Sequence, residues 1–301
     1  MSFISMDKTH LARDLWPAGI GKPVKDADDI TTLPSSRVVP GDYADLCQWL
    51  CVDSSDEEGH VKVFVNPDAC AGEHGLLEVT LRIQGFIVDA NLNALGNWRG
   101  DIQSAPKAVQ SLRLDSGGFG NAFLPQVQAL RNIRELVLKL LCKQSSTTGG
   151  GNGDIVLKRR VFQKVRPGVT GTSTLRVQDD PTGRAAKIEH MWRVCHRIGA
   201  GVQEEDGTMS RANALVIRRG DFVDVAVGIQ VHSMRAHKQR KTEVHFCPLE
   251  VVRLRSAREV KMLIAVGAKP MKPVTAIKEV RRDTGFAFAE ATTQVSEMQT
   301  D

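Results

Sequence analysis

Apolar and polar positions alternate most regularly between Asp221 and Val231. Val223, Val225, Val227, Ile229 and Val231 share one parity there, and Asp224, Ala226, Gly228 and Gln230 the other. A period of two over that length predicts a half-buried strand. A second segment, Thr242 to Leu254, puts Val244, Phe246, Val252 and Leu254 on one parity and Glu243, His245 and Arg253 on the other, with Pro248 between them. Proline removes a ladder donor, so a bulge or a pair of short strands is expected at that point. The stretch joining the segments, His232 to Lys241, is strongly basic and reads as a long hairpin loop.

Elsewhere the periodicity predicts shorter elements. Asp42 to Cys51 reads as a short amphipathic helix. Val61 to Val65 and Leu77 to Ile83 alternate as strands before Gly85 shifts the parity. Leu124 to Lys143 reads as a helix, with Pro125 at its start and Val127, Leu130, Ile133, Val137, Leu140 and Leu141 at helical spacing. Ile155 to Val165 is strand-like around the triplet Lys158, Arg159, Arg160. A second helix is expected from Asp180 to Ile198, capped by Asp180, burying Ile188, Met191, Trp192, Cys195 and Ile198 and exposing Lys187, His190, Arg193 and Arg197.

These elements predict an α+β fold that is predominantly β, a barrel or sandwich with two or three flanking helices. Ser145 to Gly153 (SSTTGGGNG) is of low complexity and divides the chain into a mixed α/β half (1–144) and a basic β-rich half (154–268). Residues 145–153 are the connector or loop, and 269–301 a largely irregular tail. Residues 42–268 forming one domain, with strands from both halves paired, fits the pattern nearly as well. By architecture alone, the strand, basic segment, strand arrangement is compatible with an OB-like barrel, in which one face and two loops meet a nucleic-acid strand.

Charge sharpens this picture. The net charge is +5, but residues 1–153 hold 14 Lys/Arg against 18 Asp/Glu, whereas residues 154–261 hold 21 against 12. An anion-binding surface therefore belongs to the second half. Arg235, Lys238, Arg240 and Lys241 are expected to clamp backbone phosphates, with Lys158, Arg159, Arg160, Arg253 and Arg255 extending the track. The plainer reading is a loop kept basic for solubility. Aromatic content is 5%, with a single Tyr43, so phosphate contacts rather than base stacking would dominate. Phe162, Trp192, Phe222 and Phe246 are the candidate stacking residues, and each also reads as core because it sits among aliphatic neighbours.

Chemistry-bearing motifs are few. Cys47, Cys51, Cys70 and His74, with His60 between the pairs, have zinc-compatible spacing, yet Cys47 and Cys51 also read as core thiols of one helix face. They are weak metal candidates, and no metal or cofactor is assigned. Cys195 and His196 are adjacent in sequence, which does not set a thiolate beside a base. His232, His237 and His245 fall around the basic segment. The glycine-rich stretches match no phosphate-cradling pattern, Asp221 and Asp224 fall on opposite strand faces, and no Ser-His-Asp elbow occurs. Arg219-Gly220-Asp221 reads as a glycine turn opening a strand.

No charged start with an apolar core precedes the first elements, and no apolar run reaches bilayer length. An intracellular protein of nucleus or cytoplasm, with no membrane partner, is expected. The leading functional expectation is a nonenzymatic binder of single-stranded nucleic acid, DNA or RNA, able to self-associate as a homo-oligomer. An assembly protein, capsid-like or scaffold, is the alternative, and a metal-dependent enzyme the third reading.

Overall fold

The computed structural model describes residues 1–7, 9–17, 20–21, 30–53, 61–69, 76–142, 153–165, 173–236 and 239–267, with the backbone alone at 233–236, 239–241 and 266–267. In chain order the elements are β1 (Ser2–Ile4), β2 (Val38–Val39), α1 (Tyr43–Trp49), β3 (Leu50–Asp53), β4 (Lys62–Val65), β5 (Thr80–Asn91), β6 (Val109–Asp115), α2 (Gly120–Leu140), β7 (Ile155–Arg160), β8 (Phe162–Lys164), α3 (Arg184–Ile188), β9 (Trp192–Val194), β10 (Gly199–Gln203), β11 (Met209–Arg211), β12 (Phe222–Ala236), β13 (Gln239–Arg255) and α4 (Ala257–Gly267). The fold is mixed α/β and predominantly β. Among the described residues no helix is long and apolar enough to cross a membrane.

The alternating segment at 221–231 becomes the heart of the main sheet, whose order is β11-β10-β13-β12-β5-β1-β2, with β6 added to β5 and β7 to β6. Strand β5 is long enough to serve two sets of partners. Its residues 80–86 pair with β12, and from Phe86 to Asn91 it pairs with β6. The sheet curls until β7 meets β13, where Arg159 Nη1 donates to the Pro248 carbonyl at 3.2 Å. No ladder joins β7 to β13 among the described residues, so the sheet is not a closed barrel. The strands of this curl come from both sides of residues 145–153, most of which lie outside the described residues.

Inside the curl sit Leu81, Ile83, Leu112, Leu114, Leu157, Phe222, Val223, Val225 and Val227, all essentially inaccessible to water. Each such aliphatic side chain contributes about 1.5–3 kcal/mol by leaving solvent. Helix α2 lays Ile133, Leu136 and Val137 on the same core. Gly85 permits that approach, since a Cβ there would stand 2.9 Å from Phe123 Cε2 and 3.1 Å from the Asp115 carbonyl. At the alternate positions of β5 and β12, Asp224 is paired with Arg82 and accepts from Gln84 Nε2 at 2.9 Å, and Gln84 also donates to the Gly21 carbonyl at 2.7 Å.

The structure revises several expectations. The basic segment 232–241 is not a long loop, because β12 runs to Ala236 and β13 starts at Gln239, so the ladder continues through it to the pair Ala236 and Gln239. The bulge at Pro248 is present: Val227 pairs with Pro248 and Ala226 with Glu250, leaving Leu249 between. Helix 180–198 shrinks to α3. Its N-cap is Gly183 rather than Asp180, although the Asp180 side chain accepts from the backbone N–H groups of Arg184, Ala185 and Ala186. Beyond Ile188, however, Trp192–Val194 pair with Phe162–Lys164 as strands, the β preference of aromatic and branched side chains prevailing over helical spacing. Helix α1 is capped by Asp42 and ends at Trp49, so Cys51 lies on β3, paired with Phe64, rather than one turn along from Cys47. Gly220, with φ +85°, makes the turn that opens β12.

Candidate functional site

Past Gly228, β12 loses β5 as a ladder partner and, among the described residues, is laddered to β13 alone. The two strands therefore continue as a ribbon whose far end carries Arg235, Arg240 and Lys241. Arg235 and Arg240 are register partners along the backbone ladder. Lys238 lies outside the described residues. At the root of the ribbon the guanidinium of Arg134, from α2, lies over the Phe246 ring at 5.4 Å, while His232 and His245 meet edge to face with centroids 5.0 Å apart. His245 Nε2 is 3.1 Å from Glu243 Oε2.

On β7 alternation sorts the cationic triplet. Ile155, Leu157 and Arg159 point inward, and Val156, Lys158 and Arg160 outward. Lys158 is opposite Ser111, Arg160 opposite Val109, and Val156 opposite Arg113 of β6, giving one outward face with cations on both strands. Arg113 lies 3.9 Å from Asp154. Arg159 is only 6% exposed and does not reach this face. Burial pulls its pKa below the ordinary arginine value, and the neighbouring Cys247 thiol is pushed up to about 12 by burial against the opposing effect of Arg159.

Arg253 and Arg255 do not adjoin the basic ribbon tip. They pair with Val223 and Phe222 at the opposite end of the hairpin, about 40 Å from Lys241 at the rise of an extended strand. Their side chains are engaged within the fold: Arg253 Nη1 donates to the Val216 carbonyl and Arg255 Nη1 to the Leu254 carbonyl, each at 2.9 Å.

A cleft of about 430 Å³ lies where the ribbon leaves the sheet. One wall is Ile229, Gln230, Val231 and His232 of β12; the other is built from Arg160, β8 and β9, with Trp192 prominent. Lys62, Lys164, Arg193 and His196 add positive or protonatable groups, and Glu78 is the carboxylate of the lining. Partial burial, then the charge of Arg159, hold His196 below the ordinary histidine pKa. Of the aromatic candidates, Phe162, Phe222 and Phe246 are buried, whereas Trp192 is half-buried and lines this cleft. The expected helix had directed Trp192 into a core and Arg193 toward solvent. What would have corrected it is the Trp192-Arg193-Val194 run, which matches a strand as well as a helix.

Cys47 is exposed and Cys51 half-buried on separate elements, and Cys70 and His74 lie outside the described residues. Among the described residues no three His, Cys, Asp or Glu side chains are grouped as metal ligands.

No family model matches the chain, and no curated protein matches it. Among solved structures, it is similar to the single-stranded DNA-binding protein from bacteriophage Enc34. The C-terminally truncated form is 14% identical with a TM-score of 0.29, covering 66% of this chain and 87% of that one. The form in complex with single-stranded DNA is 15% identical with a TM-score of 0.26, covering 66% and 88%.

Proposed function

We propose that this chain is a nonenzymatic, OB-like protein that binds single-stranded nucleic acid through its phosphates. Its strand succession supports that reading. β5, β6, β7, β12 and β13, with β8–β11 between β7 and β12 in the chain, stand in the spatial order β7-β6-β5-β12-β13, the neighbour order of such a barrel left without a ladder between β7 and β13, where Arg159 bridges. Barrels of this type bind strands on the face of their second and third strands and between the loops that join strands one to two and four to five. Here those are the outward face of β6 and β7 and the tip of the β12–β13 hairpin.

The observation that carries the reading is that cationic positions occur at both of those places and along the cleft between them. Lys158 and Arg160 lead along β7 into the cleft, and the cleft's β12 wall runs on, within a few residues, to Arg235 and its partner Arg240. A flexible, phosphate-rich single strand fits this course, since each contact neutralises a phosphate and releases counterions. Arg159, Arg253 and Arg255 are left out of the track because of their burial, distance and internal hydrogen bonds.

Fluorescence anisotropy of labelled single-stranded DNA, single-stranded RNA and duplex DNA across a salt series tests this function. Single strands should bind at low salt and be released steeply as salt rises. Absence of binding at low salt would overturn the proposal.

A further inference from the structure

We propose that the cleft beside Trp192 seats one unpaired nucleobase, stacked on the indole, while Arg160 and Lys164 hold the adjoining phosphate. This deepens the phosphate-track reading and rests on it, but it concerns base contact, which that reading does not require. The cleft lies between β12 and the β8–β9 pair, whose first strand follows β7, so it adds to the outward face of β6 and β7 rather than repeating it.

Trp192 is held ready for this role. It is the register partner of Lys164 on β8, so the two project to the same face of the small sheet. It packs against a separate apolar cluster of Ala105, Ala108, Val161, Phe162, Ala185, Ile188 and Val194. Phe162 in that cluster is itself fixed edge to face by Trp98, with centroids 5.1 Å apart. A side chain packed against a cluster and only half-buried loses little entropy on stacking.

The rest of the lining has the chemistry of a nucleotide site. Ile229 and Val231 offer apolar surface, Gln163 offers an amide able to meet a base edge, and Arg160, Lys164, Arg193 and Lys62 supply positive charge. A volume of about 430 Å³ is near the lower end of small-ligand sites, roughly 300–1,000 Å³. It suits a single nucleotide unit, and a base can enter only when it is free of a duplex partner. The cleft would thereby favour single strands over duplex by geometry, in addition to charge.

The test combines a protein change with a ligand change. Intrinsic tryptophan fluorescence is followed while a single-stranded oligonucleotide is titrated, and anisotropy gives the affinity for that oligonucleotide and for one whose bases are replaced by abasic sites. Trp16 and Trp49 are buried, but Trp98 is half-buried like Trp192, so the quenching that belongs to Trp192 is the part lost in Trp192→Leu. That variant should bind the normal strand about tenfold or more weakly, as expected for one lost stack, with an unchanged salt slope and no further loss on the abasic strand. Trp192→Phe, which preserves the packing, should recover part of the affinity. Equal affinity of wild type and a folded Trp192→Leu variant for the normal strand would overturn the stacking cleft while leaving the phosphate track standing. Failure of the wild type to bind either strand would overturn both.

Discussion

Arg159 Nη1 donates to the carbonyl of Pro248 at 3.2 Å and so ties β7 to β13 where no backbone ladder joins them. The bulge at Leu249 helps create the opportunity, because a strand that breaks its ladder frees a carbonyl for a side-chain donor. A residue read from sequence as one cation of a triplet is thus a seam closure, with its charge spent inside the protein.

The first prediction follows from that role. Arg159→Gln should lower unfolding stability by about 2 kcal/mol, the scale of a lost hydrogen bond to a charged group, and leave the salt slope of nucleic-acid binding at its wild-type value. Urea denaturation and anisotropy check the two parts separately. A reduced salt slope in a variant of normal stability would mean that Arg159 contacts phosphate after all.

Its neighbours should behave in the opposite way. Lys158→Ala and Arg160→Ala alter outward-facing positions, so each should reduce the salt slope for a single strand by about 0.7 with little effect on the urea midpoint. Arg253→Ala, at the far end of the hairpin, should leave the slope unchanged. The same titrations across a salt series decide it.

The contrast marks how much of the site could be read from sequence. Period two identified β12 and β13 and even the irregularity at Pro248, since alternation and a missing donor are local properties. It also sorts Arg159 from Lys158 and Arg160 once the strand is recognised. The cleft was not legible in this way. Trp192 sits in a run whose spacing suits either a helix or a strand, and its pairing with Lys164 is set by chain 28 residues away. The basic segment was misread for a related reason: polar residues signal a loop only where solvent replaces the ladder, whereas here the ladder continues between two basic strands.

Asp224 supplies a stability prediction. It is 2% exposed, and it faces Arg82 and Gln84. Asp224→Ala would strand a guanidinium and an amide, and should cost about 3–5 kcal/mol; Asp224→Asn, which keeps acceptors in place, should cost less. Chemical denaturation of the two variants checks the order. A loss below about 0.5 kcal/mol for Asp224→Ala, the level of an ordinary surface change, would contradict this account of the core.

Cys247 makes the fold testable by pH. Its thiol pKa is raised from 9.0 to about 12 by burial, so the folded state keeps a proton that the unfolded chain releases. Stability from this group is therefore complete below pH 9 and declines as pH rises from 9 toward 12. Cys247→Ala should flatten that decline in thermal melts taken between pH 8 and pH 11, and in the native wild type at pH 8 a thiol reagent should modify the exposed Cys47 and Cys142 while sparing Cys247. Rapid native-state modification of Cys247 would show the seam to be open.

The central claim is that the far end of the β12–β13 ribbon holds phosphates. The most direct measurement is the salt dependence of single-strand affinity for a variant with Arg235, Lys238, Arg240 and Lys241 all replaced by Ala, alongside the wild type. The account predicts a folded variant that binds more weakly and has a salt slope shallower by about 3, the sum expected for loss of these contacts. A folded variant with the wild-type affinity and slope would contradict it.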